Sequence, residues 1–293
     1  MRRRTLVIPI VAIAAVVALA GIGAIALTAN TDAPAPPVAT VTSTPTPTPT
    51  VDPFPRWPLT AETRYVALGD SFAAGMGAGG EKGSCLTSDK AYPDLFTSAS
   101  GINLVANAAC SGATTSDLLK QQLLPLDDNT DLVTISVGAN DLGVAAVAAD
   151  CAAGKAIPCR NELSSAISLL NLLPERLDQV YTAVAKSAPN ARIVVTGYAN
   201  LYDVSDPSAK NFTIGAAINA ATIGLNEVIK EAVDKQRKSR VPITYLEVEF
   251  GGHGIGTAKP WVNTKGYFAF HPTATGYQEY SRELIRLLGT ARG

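Results

Sequence analysis

Downstream of residue 60, short apolar runs alternate with longer stretches of helical periodicity. The five runs are residues 65–68, 103–106, 132–137, 192–196 and 243–248. Short apolar runs bounded by Gly, Asn or Pro are typical of buried strands. Because strands separated by helices pair in parallel, the pattern predicts an α/β fold in which a five-stranded parallel sheet carries helices on both faces.

Helical periodicity is clearest in the stretch before the last apolar run. Its apolar residues recur at steps of three and four: Ile214, Ile218, Ala221, Leu225, Val228 and Ala232. This spacing places them on one face of a helix, which we expect to be buried. A second helical region, residues 163–186, contains Pro174. Since proline is accepted in the first turn of a helix, a new helix is expected to begin there.

The N-terminus has the composition of an export signal. Three arginines precede an uncharged apolar run, residues 6–27, and the small residues within 24–26 suit cleavage by signal peptidase. The run is also long enough to cross a hydrocarbon layer of ~30 Å as a helix. Residues 1–29 are therefore predicted to be a signal peptide or an N-terminal membrane anchor, with everything downstream outside the cell or in its envelope.

Residues 30–60 are rich in Pro, Thr, Ala and Val, with an alternating Thr-Pro repeat at residues 44–49. Such a segment cannot bury enough apolar surface to fold, and its prolines favour a disordered, extended linker. The folded domain is accordingly expected to span residues 61–293.

The charge balance bears on the class of partner. The formal net charge is -1, and no basic stripe of the kind that nucleic-acid binding needs is evident. We therefore expect no nucleic-acid partner and a monomeric protein.

Cysteine usage agrees with export. The four cysteines are Cys85, Cys110, Cys151 and Cys159. An even number in an exported chain predicts disulfides, and the simplest of the three possible pairings joins sequence neighbours. A zinc site is the competing interpretation, but the chain has no C-x-x-C pair, and both histidines are distant in sequence.

Ser71 follows the first apolar run, in the tripeptide Gly69-Asp70-Ser71. A serine at the end of a buried parallel strand lies at the carboxyl edge of the sheet, where open α/β folds place ligands and chemistry. Ser71 is therefore a candidate nucleophile.

A serine hydroxyl needs a base, and histidine is the usual one near neutral pH. The chain has two histidines. His271 directly precedes the helical stretch that ends the chain, so it can lie on a loop at the carboxyl edge of the sheet. His253 lies in a glycine-rich loop after the last strand. His271 is the candidate general base.

Acyl transfer also requires hydrogen-bond donors for the oxyanion that develops on the substrate. Three donors follow separate predicted strands: the Ser71 N–H, the Gly112 N–H and the side-chain amide of Asn140. Taken singly, Gly112 is typical of a turn and Asn140 of a helix cap. Their common position at strand ends predicts an oxyanion hole.

Four ordered blocks carry a family resemblance. They are Gly69 to Gly75 around Ser71, the turn containing Gly112, Gly138 with Asn140, and His271 followed by Pro272. From about residue 64 onward, the chain resembles the SGNH (GDSL-type) hydrolases, and in particular exported actinobacterial esterases and lipases. The resemblance implies a flavodoxin-like three-layer αβα sandwich and hydrolysis of ester or lipid substrates through an acyl-enzyme, with no metal and no organic cofactor.

Two departures from the family pattern matter. Members usually carry Asp three residues before the catalytic histidine, where this chain has Phe268. We expect a backbone carbonyl near Phe268 to orient His271, with Asp203 or Glu249 as alternatives. Related enzymes also often hold a third disulfide, and Gly256 occupies what resembles one half of it. The segment beyond it, Trp261-Val262-Asn263, still resembles that of the family, which suggests that His253 has a structural role in this loop.

The hypothesis is an exported serine esterase or lipase with Ser71 as nucleophile and His271 as base. A non-catalytic envelope-binding module is a second hypothesis, which the missing carboxylate at Phe268 favours. A third is an acyltransferase that uses the same site.

Overall fold

The computed structural model describes residues 58–291, so the predicted leader and most of the predicted linker lie outside the described residues. Five strands form one sheet. They are β1 (Arg64–Gly69), β2 (Asn103–Asn107), β3 (Leu132–Ser136), β4 (Arg192–Thr196) and β5 (Ile243–Leu246). All five predicted strands are present, and the α/β fold is confirmed.

Eight α-helices occur between and after the strands in the described part of the chain. They are α1 (Ser71–Ala74), α2 (Tyr92–Ser100), α3 (Thr115–Gln121), α4 (Val144–Ala152), α5 (Ala156–Leu169), α6 (Leu173–Ser187), α7 (Phe212–Lys238) and α8 (Ala274–Leu288). Short 3₁₀ turns cover Asn140–Leu142 and Leu170–Leu172. The second of these turns joins α5 to α6, and Pro174 lies in the first turn of α6, as predicted.

The strand order is β2-β1-β3-β4-β5, and every pair is parallel. This is the flavodoxin-like order, in which the chain changes direction across the sheet between β1 and β3. Loops at the carboxyl ends of β1, β2 and β3 therefore meet at one edge. Open α/β sheets bind ligands there.

The helices cover the sheet in two groups. Helix α2 packs against α8, whereas α3 and α7 both pack against α6. Right-handed crossovers place these groups on opposite faces, because the β1 to β2 connection runs the other way across the sheet. The central strands β1, β3 and β4 are almost wholly buried between them. The result is the predicted three-layer sandwich.

The end of β5 departs from the prediction. The apolar run continues to Val248, but the strand ends at Leu246. Val248 and Phe250 are buried in the core without pairing in the sheet. An apolar run predicts burial, and burial in a loop gives the same sequence signal as burial in a strand.

Within residues 58–291, α7 is the one helix long and apolar enough to cross a membrane. It packs against α6 and β5, and its buried residues include Ile218, Leu225 and Ala232 from the predicted apolar face. We interpret it as a core helix. The predicted span at residues 6–27 lies outside the described residues.

Two disulfides join sequence neighbours, as the simplest pairing predicts. Cys85 pairs with Cys110, and Cys151 pairs with Cys159. The first ties the turn before α2 to the loop after β2, next to the edge of the sheet described above. The second joins the end of α4 to the first turn of α5.

Candidate active site

The turn after β1 presents Ser71 at the carboxyl edge of the sheet. Gly69 ends β1 with φ +138°, and a Cβ atom there would lie 2.2 Å from the Ser136 carbonyl oxygen, so only glycine fits beside β3. Asp70 caps α1 by accepting a hydrogen bond from the Phe72 N–H (3.0 Å), and Ser71 is the first residue of that helix. We call residues 69–71 the serine turn.

Ser71 and His271 are separated by 200 positions in sequence, yet the structure brings them into contact. The Nε2 atom of His271 lies 2.8 Å from Ser71 Oγ. Ser71 is buried, and the imidazole is partly buried at the edge of a cavity. A hydroxyl at hydrogen-bond distance from an imidazole is the geometry that general-base activation requires.

The other ring nitrogen of His271 contacts a backbone carbonyl. Nδ1 lies 3.2 Å from the oxygen of Ala269. A carbonyl only accepts, so this contact places the ring proton on Nδ1 and leaves Nε2 free to accept from Ser71. The oxygen of Phe268 accepts instead from the His271 backbone N–H (3.1 Å). The carbonyl that accepts from the imidazole is thus that of Ala269, the residue after Phe268.

The predicted carboxylate alternatives do not reach this ring. Within residues 58–291, neither Asp203 nor Glu249 hydrogen-bonds His271. Asp203 instead accepts from the Ser205 N–H (3.0 Å).

Burial controls the charge of the imidazole. It lowers the pKa of His271 below the ordinary value of 6.5, while the carbonyls of Ala269 and Phe268 oppose the shift by stabilising the protonated ring. A lowered pKa keeps the ring neutral to more acidic pH. The imidazole is therefore in the form that accepts a proton at neutral pH.

The three predicted oxyanion donors lie around the same cavity. Ser71, Gly112 and Asn140 all line it. The Asn140 amide donates to the Ala113 carbonyl (3.0 Å), which couples it to the turn that contains Gly112. Among the described residues, the backbone N–H groups of Ser71 and Gly112 have no protein acceptor. Ser71 is buried and Gly112 is exposed, and both residues line the cavity, so an atom of a bound ligand can accept from their N–H groups.

A second contact joins the loops after β2 and β3. The Asp141 carboxylate accepts from the Thr115 backbone N–H (2.8 Å) and from its hydroxyl (2.6 Å), and it pairs with Arg176 (3.2 Å). These bonds fix Asn140, the neighbour of Asp141, relative to the Gly112 turn. Asp141 therefore has a structural role.

Tyr198 connects the serine turn to the loop after β3. Its hydroxyl donates to Asp70 Oδ2 (2.5 Å) and accepts from the Ala139 N–H (3.3 Å). Burial raises the pKa of Asp70 to about 7, which the Tyr198 hydrogen bond partly offsets. The buried Asp70 carboxyl therefore links the turn that carries Ser71 to Tyr198.

A cavity of about 760 Å³ opens beside Ser71. Its walls are mostly aliphatic and include Leu163, Ala166 and Leu170 near one side and Ile218, Ala221 and Leu225 from α7. The lining also includes Asp70, Lys265 and His271. A large apolar cavity that ends at a few polar groups is typical of a small-molecule site.

Sequence reasoning missed Tyr198, Ala269 and the role of Asn263, which hydrogen-bonds the His271 loop. Tyr198 follows β4 closely, so the strand-end argument that located Asn140 could have located it as well. No sequence signal identifies Ala269, because its contact depends on the loop conformation.

His253 lies away from this contact. Its ring stacks on Trp261 with centroids 3.8 Å apart, and its Nδ1 lies 3.0 Å from the Lys259 carbonyl oxygen. Arg282 covers the same indole at 5.6 Å. These contacts fit the structural role that the sequence suggests for His253.

Comparison with known sequences agrees with this geometry. The model of the GDSL-like Lipase/Acylhydrolase family matches residues 67–279. A Lipase 1 of Streptomyces coelicolor is 37% identical over 223 residues, which is 72% of this chain and 81% of that protein. A lipase of Streptomyces rimosus is 36% identical over 75% of this chain and 84% of its own length.

Solved structures with the same fold include two Streptomyces enzymes. Phospholipase A1 from Streptomyces albidoflavus has a TM-score of 0.70 at 34% identity. An extracellular lipase from Streptomyces rimosus has a TM-score of 0.70 at 35% identity. Each match covers 76% of this chain and 98% of the solved one.

Proposed function

This chain belongs to the GDSL-like lipase/acylhydrolase family and is an ester-hydrolysing enzyme, and we propose that it cleaves esters through an acyl-enzyme on Ser71. His271 Nε2 takes the proton from Ser71 Oγ as the oxygen attacks the ester carbonyl. The same proton then passes to the departing alcohol. Water, deprotonated by His271, attacks the acyl carbonyl, and the proton returns to Ser71 Oγ as the carboxylic acid leaves. The observation that carries this proposal is the 2.8 Å contact between Ser71 Oγ and His271 Nε2.

The oxyanion of each tetrahedral intermediate is held by Ser71 N–H, Gly112 N–H and the Asn140 amide. Two observations support this assignment. Both backbone donors lack a protein acceptor within residues 58–291, and one Asn140 N–H is committed to Ala113 while the other remains for the substrate.

The acyl group is a long aliphatic chain lying in the cavity beside Ser71. Its walls are mostly aliphatic and offer few partners to the many hydroxyl groups of a sugar, and its volume of about 760 Å³ is far larger than an acetyl group needs. Each buried methylene contributes about 0.8 kcal/mol, which corresponds to roughly fourfold in kcat/KM per methylene.

Substitution of Ala166 by leucine is expected to shorten the accepted chain. Ala166 lies on α5 and lines the cavity, so the larger side chain occupies space that long acyl groups need. We expect kcat/KM for p-nitrophenyl palmitate to fall about tenfold or more, with p-nitrophenyl butyrate almost unaffected. Initial rates over esters of graded chain length give the measurement.

The matched control is Ala156→Leu, which adds the same side chain at an exposed position of α5. It should leave the chain-length profile unchanged. A profile of Ala166→Leu that matches this control, or a wild-type enzyme that prefers acetate, would contradict the acyl-chain assignment.

Export is a further part of the proposal: residues 1–29 form a signal peptide or anchor, residues 30–60 a linker and residues 61–293 the hydrolase domain, which acts outside the cell or in its envelope. The two disulfides support this location, because they persist in oxidising compartments.

Cell fractionation tests export. The full chain should reach the envelope or the medium with no free thiols, whereas a chain that lacks residues 1–29 should stay inside the cell. An N-terminal peptide map of the exported protein then distinguishes cleavage from retention. Equal export with and without residues 1–29 would contradict the assignment.

A further inference from the structure

The contact that orients the His271 ring cannot by itself hold the ring against Ser71. Ala269 and His271 belong to the same loop, so the bond from Nδ1 to the Ala269 carbonyl fixes the ring relative to its own loop. The family carboxylate is absent, since Phe268 occupies its position. Another group must fix the loop relative to the serine turn.

The loop is strained immediately before the histidine. Phe270 has φ +69°, a left-handed conformation that bulky residues rarely adopt. Such conformations persist where surrounding contacts hold them, and they are frequent at functional sites. The Phe270 N–H donates to the backbone oxygen of Asn263 (2.8 Å), and the Asn263 N–H donates to the oxygen of His271 (2.8 Å). The backbone of Asn263 thus spans the strained turn.

The Asn263 side chain extends this connection to the segment after Ser71. Its Nδ2 lies within hydrogen-bond distance of three carbonyl oxygens, those of His271 (3.1 Å), Pro272 (3.2 Å) and Gly77 (3.1 Å). The first two belong to the histidine and to the residue after it, whereas Gly77 lies six residues beyond Ser71. One amide therefore bridges the histidine loop and the segment that follows the nucleophile.

The packing at Gly77 shows how close this approach is. A Cβ atom on Gly77 would lie 2.6 Å from Asn263 Nδ2 and 2.9 Å from the Pro272 oxygen. The backbone oxygen of Met76, on the same segment, accepts from the Tyr277 hydroxyl (2.8 Å). The same hydroxyl also donates to the backbone oxygen of Ser71 (3.2 Å). The segment that receives the Asn263 amide is thus itself fixed to Ser71.

We propose that Asn263 is a positioning residue that holds His271 at hydrogen-bond distance from Ser71. It acts through the backbone carbonyls of His271 and Pro272, whereas members of the family usually carry a carboxylate three residues before the histidine. The inference rests on the proposed roles of Ser71 and His271.

Asn263→Ala and Asn263→Asp test the inference from two directions. Alanine removes the amide, whereas aspartate keeps its size but removes the N–H donors and brings a charge toward three carbonyl oxygens. In both variants kcat should fall about 10- to 100-fold with KM nearly unchanged, because a misplacement of ~1 Å costs a comparable factor. Thermal unfolding followed by circular dichroism establishes that each variant is folded.

A pH profile separates positioning from a general loss of stability. The wild-type acid limb of kcat/KM should lie below pH 6.5, since burial lowers the pKa of His271. A loosened imidazole is better hydrated, so its pKa rises and the acid limb of Asn263→Ala moves to higher pH. In Asn263→Asp the new carboxylate raises the same pKa by its charge, so the alanine variant is the one that reports the loosening. The ionisable side chains that line the cavity together with His271 include Asp70 and Lys265, and the ring itself contacts the Ser71 hydroxyl. Since burial raises the pKa of Asp70 to about 7, Asp70→Asn removes the other titrating side chain, and the shift in the acid limb should persist in that background.

Gln236→Ala is the matched control. The buried Gln236 amide lies within reach of three acceptors, the carbonyl and carboxylate of Asp178 and the Thr182 hydroxyl, on the α6 and α7 interface. This control should lower the unfolding temperature while leaving kcat and the acid limb unchanged. Folded Asn263 variants with the kcat and acid limb of this control would overturn the inference.

Should Asn263→Ala fail to fold, Asn263→Asp and Gly77→Ala address the same contact. The added methyl group of Gly77→Ala displaces the Asn263 amide without altering it, and kcat should fall. The failure of the underlying proposal has a different signature, since Ser71→Ala would then retain activity.

Discussion

Ser71→Ala and His271→Ala are each expected to lower kcat by about 10⁴-fold or more, and the double variant to be no slower than either. The reason is that the two groups act as one unit. Without the hydroxyl no acyl-enzyme forms, and without the imidazole the hydroxyl 2.8 Å away keeps its proton. Hydrolysis of p-nitrophenyl esters, measured at saturating substrate for all three variants, checks this expectation.

The controls for this prediction come from the same residue types. Ser100 is a buried serine at the end of α2, and His253 is the second histidine of the chain, stacked on Trp261. Ser100→Ala and His253→Ala should each retain kcat within a few-fold of wild type. Strict additivity in the double variant, with two independent losses multiplied, would mean that Ser71 and His271 do not share one step.

Asn140→Ala is expected to lower kcat by about 10²- to 10³-fold with little change in KM. The amide is directed at charge that develops only in the transition state, so its removal affects the chemical step more than substrate binding. The backbone N–H groups of Ser71 and Gly112 remain in this variant, so activity should be reduced rather than abolished. Steady-state kinetics with one ester substrate separate the two parameters.

Asn190→Ala provides the comparison. Its amide also donates to a backbone carbonyl, that of Asp128 (2.9 Å), but on the protein surface. This variant should behave as wild type. A loss in Asn140→Ala that appears mainly in KM would reassign Asn140 to ground-state binding of the substrate.

The sheet was largely predictable because its strands are buried on both faces. A buried parallel strand is a continuous apolar run, and the run at residues 192–196 coincides with β4. The apolar run ending at Val248 shows the limit, since Val248 is buried without pairing. Helix α4 was not predicted. It is rich in alanine and valine on all sides, so it lacks the contrast between faces that reveals a helix.

The candidate site was predictable where it depends on topology. Ser71, Gly112 and Asn140 follow β1, β2 and β3, and parallel strands bring their carboxyl ends to one edge. His271 could be identified as the candidate base because the chain has only two histidines and His271 directly precedes the last helix.

The orientation of His271 was not predictable to the residue. The Ala269 carbonyl reaches Nδ1 in a loop that includes the left-handed conformation of Phe270. Backbone conformation in such a loop is set by tertiary contacts, among them those of Asn263, and local sequence carries little of this information.

Mass spectrometry of the protein after reaction with a long-chain alkyl phosphonate ester tests the central claim most directly, because the reagent forms a stable adduct with an activated serine. We predict one adduct per chain, on the peptide that contains Ser71, with proportional loss of activity and a rate that collapses in His271→Ala. Full inactivation with Ser71 unmodified, or an adduct formed equally fast in His271→Ala, would contradict the account.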